Sequence, residues 1–117
     1  MIALHEVKQQ MLIDPKNWAL FLMEFVHDFR YYKDPQAIAE PLPFTDPRLH
    51  PLLASTAESL CDELGIEPPR WLADVPACRT PWFVSGMENL KAIALAESPL
   101  RFRLRKILVL SNFLSRA

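Results

Sequence analysis

Glycine is nearly missing from this chain, with two residues in 117, against eleven prolines. Tight hairpins and phosphate-cradling loops need glycine where the backbone takes positive φ. A β-sandwich, a Walker loop and a glycine-rich dinucleotide fingerprint are therefore excluded as readings. Long apolar runs are missing too. Runs such as Ile107-Leu108-Val109-Leu110 fall far short of the ~20 residues that span a bilayer, so no membrane partner is expected. The opening residues, Met1-Ile2-Ala3-Leu4-His5-Glu6, lack a basic stretch followed by a long apolar one. No secretory signal is expected, and the cytoplasm is the expected compartment. Cys61 and Cys78 are too few for a disulfide framework and are expected to be reduced.

What is present suits a folded helical domain. Half of the residues are hydrophobic and 23% are charged, a globular balance that argues against disorder. Asp14-Pro15 pairs a capping residue with a proline suited to a first helical turn. Trp18, Phe21, Leu22, Phe25, Val26 and Phe29 then recur at helical spacing, with Lys16, Glu24, Asp28 and Arg30 largely off that stripe. A shorter amphipathic stretch precedes it, over about Leu4 to Leu12. Glu40-Pro41-Leu42-Pro43-Phe44 reads as an extended connector. Asp46-Pro47 repeats the cap-and-proline start, Leu49, Leu52, Leu53, Leu60, Cys61 and Leu64 mark a second helix, and Gly65 suits its C′ position.

Further on, Pro68-Pro69-Arg70-Trp71-Leu72 reads as a short helical turn that returns a tryptophan to the core. Ser85 with Glu88 three residues later forms a capping-box pattern, which predicts a third long helix from Ser85 to Ser98-Pro99. In Leu100-Arg101-Phe102-Arg103-Leu104-Arg105 strict alternation favours a strand with three arginines on one face, whereas Ser98-Pro99 is a helix-start signal. The segment is left open between the two. Ile107 to Leu110 could pair with Trp82-Phe83-Val84. The expected fold is thus mainly α: a compact single helical domain over residues 1–117, with proline-rich connectors and one short β pairing near the C-terminus left open.

Charge is polarised. Residues 1–97 carry all fourteen acidic residues against eight Lys and Arg, a net of −6. Residues 98–117 carry Arg101, Arg103, Arg105, Lys106 and Arg116 with no acid, a net of +5. Either this basic segment meets an acidic partner, or its arginines lie against the acidic body of their own domain. The first reading makes Arg101, Arg103, Arg105 and Lys106 the candidate partner-binding residues. Five cations in a chain of pI near 6.3 are a weak nucleic-acid footprint, so nucleic acid is disfavoured as a partner.

No catalytic, cofactor-binding or metal-ligating set stands out, and no cofactor is expected. Glu24-Phe25-Val26-His27 has the E-x-x-H spacing of a di-iron helix, but once, where such a bundle has it twice. Cys61 lies on an apolar stripe, where a free cysteine is usually a small hydrophobe. Cys78 stands beside Arg79, whose charge would lower a thiol pKa. No G-x-S-x-G elbow is present. Tyr31-Tyr32-Lys33, at the end of the first long helix, suits a contact surface.

Pro69-Arg70-Trp71, Trp82-Phe83-Val84, Leu90-Lys91-Ala92-Ile93-Ala94-Leu95-Ala96-Glu97-Ser98-Pro99, Phe102-Arg103-Leu104-Arg105-Lys106-Ile107 and Leu114-Ser115-Arg116-Ala117 follow in an order that resembles an uncharacterised bacterial domain. That domain commonly follows an Xre-type helix-turn-helix, and some of its members look like antitoxins encoded beside a toxin gene. The resemblance covers roughly residues 50–117. No helix-turn-helix precedes it here, because the first long helix runs into Tyr31-Tyr32 and a proline connector instead of a short turn. DNA binding is therefore not carried over. The resemblance implies a non-enzymatic protein-binding domain, antitoxin-like or a regulatory accessory, whose partner could be a toxin encoded nearby. A homo-oligomer is left open. The alternatives are a small-ligand-binding or enzymatic domain with its site between helices, and a nucleic-acid adaptor using the basic C-terminal segment.

Overall fold

A computed structural model describes residues 1–43 and 46–116 of the chain. Phe44 of the proline connector, Ala117 and the side chain of Arg116 lie outside the described residues. The chain is mainly helical, 61% of it, and folds to a radius of gyration of 13.3 Å, the size of a compact body of this length. Helix α1 (Leu4–Ile13) packs on α2 (Trp18–Tyr32), and both rest on α3 (Leu49–Leu64). Two one-turn helices, α4 (Arg70–Ala73) and α6 (Leu100–Arg103), close over α3 from its other sides. Strand β1 (Trp82–Phe83) and helix α5 (Lys91–Glu97) lie between them in the chain, and strand β2 (Ile107–Leu108) follows α6.

The stripe of α2 packs as its spacing dictates. Leu22, Phe25, Val26 and Phe29 are buried, and Trp18 and Phe21 pack partly buried at the edge of the same cluster. Its first turn differs from expectation. Asp14 makes no backbone capping bond; Pro15–Asn17 form a 3₁₀ turn, and the Asn17 amide donates to the Asp14 carboxylate at 2.8 Å. The proline fixes φ for a tight turn, and α2 begins only at Trp18. Asp46, by contrast, accepts from the backbone N–H of both Arg48 and Leu49 at 2.8 Å and so starts α3. Gly65, at φ +68, ends α3, with the Ile66 N–H bonded back to the Cys61 carbonyl as in a Schellman motif.

Helix α3 is the axis of the fold. Every residue from His50 to Glu58 is buried, so this helix is covered on all its faces. That forces Ser55, Thr56 and Glu58 into the interior, where each has a partner; the Thr56 hydroxyl donates to the Leu52 carbonyl at 2.8 Å. The short α4 turn does return its tryptophan, whose Nε1–H donates to the Ile38 carbonyl at 2.9 Å.

The expected helix from Ser85 is not formed. Ser85 accepts weakly from the Met87 N–H, Gly86 takes φ +69 and Met87 is extended, so the chain turns before a 3₁₀ segment leads into α5 at Lys91. Positive φ at Gly86 interrupts the helix that the capping box promised. For residues 100–105 the helix-start signal prevails over the alternation, and the strand pairing falls on the next residues. β1 and β2 run parallel, with Trp82 opposite Ile107 and Phe83 opposite Leu108.

The outer edge of β2 is completed by one side chain. The buried Ser98 hydroxyl donates to the Ile107 carbonyl at 3.0 Å and accepts from the Val109 N–H at 3.3 Å. It stands where a third strand would stand. Ser98→Ala should leave a carbonyl and an N–H buried and unpaired, lowering stability by about 2–3 kcal/mol in urea unfolding. A midpoint equal to that of the parent would show that the serine does not hold this edge.

Candidate surface on the sixth helix

Pro99, in extended geometry, sets the first turn of α6, and its carbonyl accepts from the N–H groups of Phe102 and Arg103. The turn then tightens, and Lys106 takes φ +61 before the chain enters β2. A helix turn sends successive side chains about 100° apart instead of alternating them. The arginines expected on one face are therefore dispersed.

Arg101 lies over α3. Its Nε and Nη2 grip the Asp62 carboxylate at 2.8 and 2.9 Å, a bidentate fork, and its Nη1 reaches Glu58 at 3.4 Å. The hydrogen bonds from Arg101 hold the Asp62 carboxyl below the usual carboxylate range, against the opposing effect of desolvation. Arg105 goes deeper and is only 7% exposed. It pairs with the buried Glu58, donates to Ser55 at 3.3 Å, and reaches the carbonyls of Leu72 at 2.6 Å and Val75 at 3.2 Å. One guanidinium thus ties α3 to the end of α4 and to the turn after it.

The four candidate cations do not share one surface, and that expectation is corrected. Arg105 is internal and Arg101 is paired to the domain's own acids. Arg103 is exposed and donates to the Ala96 carbonyl at 3.1 Å, and Lys106 is exposed. Neither forms an ion pair with the described residues. The sequence held a signal for this arrangement: Glu58 and Asp62 stand four apart on one helix, a paired acidic face suited to arginines. Not foreseen were Leu100 and Leu104, which are 66% and 65% exposed and sit one turn apart, joined by the Leu104 N–H to Leu100 carbonyl bond. Leu104 also borders a cleft of about 280 Å³ that reaches Arg101, Glu58 and Val75.

The other singled-out residues fall elsewhere. Glu24 and His27 are exposed on the rim of a broad groove with Asp28, whose carboxylate accepts from the Ile2 N–H at 2.6 Å. Among the described residues no group of three or more His, Cys, Asp or Glu is placed to hold a metal ion. Burial, then the nearby Asp62 and Glu58, pushes the Cys61 thiol up to about 11. Burial also raises Cys78, outweighing Arg48 and Lys106, so the lowering expected from its neighbour Arg79 is not found. Tyr31 and Tyr32 are exposed and meet edge to face at 4.9 Å between ring centroids.

A buried polar pair went unread in the sequence. Lys8 and His50 are 5% and 4% exposed, and the Lys8 ammonium donates to the Pro43 carbonyl. Burial lowers the pKa of both; the charges of Lys8 and Arg105 lower His50 further, while Asp46 opposes the shift at Lys8. No helix among the described residues is long and apolar enough to cross a membrane. Comparison of the chain with protein-family models, with curated proteins and with solved structures gives no match in any of the three.

Proposed function

We propose that this chain is a non-enzymatic protein-binding domain, antitoxin-like or a regulatory accessory in bacteria, and that its partner docks on the α6 turn. The observation that carries the reading is the pairing of exposed Leu100 and Leu104 with Arg103 and Lys106 beside them, neither of which has an acidic partner among the described residues. Scattered exposed leucines are ordinary, but two on adjacent helical positions make a small anchor. Arg101 and Arg105 fix the turn to α3, so little ordering entropy is lost when it binds. The partner that fits is a protein surface with apolar side chains flanked by carboxylates: the leucines supply contact area, and the cations supply steering and register.

The resemblance of residues 50–117 to antitoxin-like proteins makes the product of the adjacent gene the partner to test. Titration calorimetry of the two purified proteins should show binding. Changing Leu104 and Arg103 together to Glu should weaken it by at least about 30-fold with no change in melting temperature. Arg103→Gln with Lys106→Gln should flatten its salt dependence. No binding by the parent would remove the adjacent-gene reading, and full affinity in the Glu variant would remove α6 as the docking surface.

A further inference from the structure

We infer that the cleft at the carboxyl ends of β1 and β2 binds a small, neutral molecule built on one aromatic ring. The two strands are parallel, so the residues that follow them, Val84-Ser85 and Val109-Leu110, open on the same side and line one cleft. In open α/β sheets ligands bind in the comparable position, outside the carboxyl ends of parallel strands where the chain diverges; here the divergence after a two-residue pairing leaves a crevice. Its volume is about 180 Å³. An apolar protein cavity of roughly 150 Å³ accepts benzene, so this cleft admits one ring with a small substituent.

The lining states the chemistry of the occupant. Trp18 and Phe113 bring aromatic rings to it, and Val84 and Val109 bring branched aliphatic surface. Both rings are fixed from behind: Trp18 meets Trp82 at 6.0 Å between centroids, and Phe113 meets the fully buried Phe102 edge to face at 5.8 Å. Such supported aromatic surface prefers another ring, stacked or edge-on. Ser85 and Asn112 are its polar residues, which suits one hydroxyl or amide substituent. Among the described residues no Asp, Glu, Lys, Arg or His lines the cleft, so a charged ligand would lose hydration there with no counter-charge from them. The site is separate from the α6 surface and does not depend on the protein-binding reading.

The test is a titration of the ¹⁵N-labelled full chain with phenol, followed by amide and indole N–H resonances. Saturable shifts are expected at the Trp18 indole and at the amides of Val84, Ala94 and Val109, with Kd of about 1 mM or tighter. Benzoate should bind at least about tenfold more weakly. Ala94→Leu, which fills the buried side of the cleft, should abolish the shifts. Ala19→Phe does the same from the exposed rim and leaves the core untouched, so loss of binding there is not loss of fold. Shifts that never saturate, that scatter over the surface, that persist in a folded Ala19→Phe variant, or that benzoate reproduces at equal concentration would each overturn the inference.

Discussion

Arg105→Met should lower the stability of the domain by about 3–5 kcal/mol in urea unfolding, and its melting temperature by more than about 10 °C. The reason is what the arginine leaves behind. Glu58 is 4% exposed and would keep only the 3.4 Å contact from Arg101, while the Leu72 and Val75 carbonyls and the Ser55 hydroxyl would lose their donor. An uncompensated interior carboxylate is far more costly than the net gain from the pair itself. Adding Glu58→Gln should therefore recover a sizeable part of the loss, a coupling that exposed pairs do not show. Arg103→Met, on the exposed side of the same turn, should stay within about 0.5 kcal/mol of the parent. If Arg105→Met melts within a degree or two of the parent, the network is solvated and the α6 turn is not anchored as described.

The contrast between Arg103 and Arg105 shows where sequence reading reaches and where it stops. Charge counting placed every acid before residue 98 and a cluster of cations after it, and it offered two readings, an outward patch or an inward clamp. The chain uses both: Arg101 and Arg105 turn inward, and Arg103 and Lys106 outward. What separates them is the backbone period over six residues, which alternation and the proline signal read in opposite senses. Once Pro99 sets a helical turn, the rotation per residue decides which arginine meets Glu58. In α2 the same question never arose, because six apolar positions over three turns leave only one period that fits. Helix α3 was legible as a helix but not as one covered on every face; burial of Ser55, Glu58 and His50 depends on α1, α4 and α6 packing around it. The cleft beyond β1 and β2 was invisible for a similar reason. Its walls come from residues near 18, 84, 94 and 110, which the parallel pairing and the packing of α2 and α5 bring together.

Phe25→Ala should cost about 3–5 kcal/mol, a large share of what a domain of this size has. Phe25 is fully buried on α2, its ring centroid 5.8 Å from that of Phe29, and the helix carries it between α1 and α3. Truncation removes the transfer energy of the ring and leaves a cavity in a core cluster whose other members, Leu22, Val26 and Phe29 among them, are themselves buried and cannot collapse into it without breaking other contacts. Leu20→Ala on the same helix is the internal control, since Leu20 is 55% exposed and its loss should move stability by no more than about 0.5 kcal/mol. Both variants should be measured by thermal and urea unfolding. The slope of the urea transition should stay the same, so that the midpoint alone reports the lost packing. A Phe25→Ala midpoint matching that of Leu20→Ala would mean that the α2 stripe does not form the core, and with it would go the frame on which α3 and the anchored α6 turn depend.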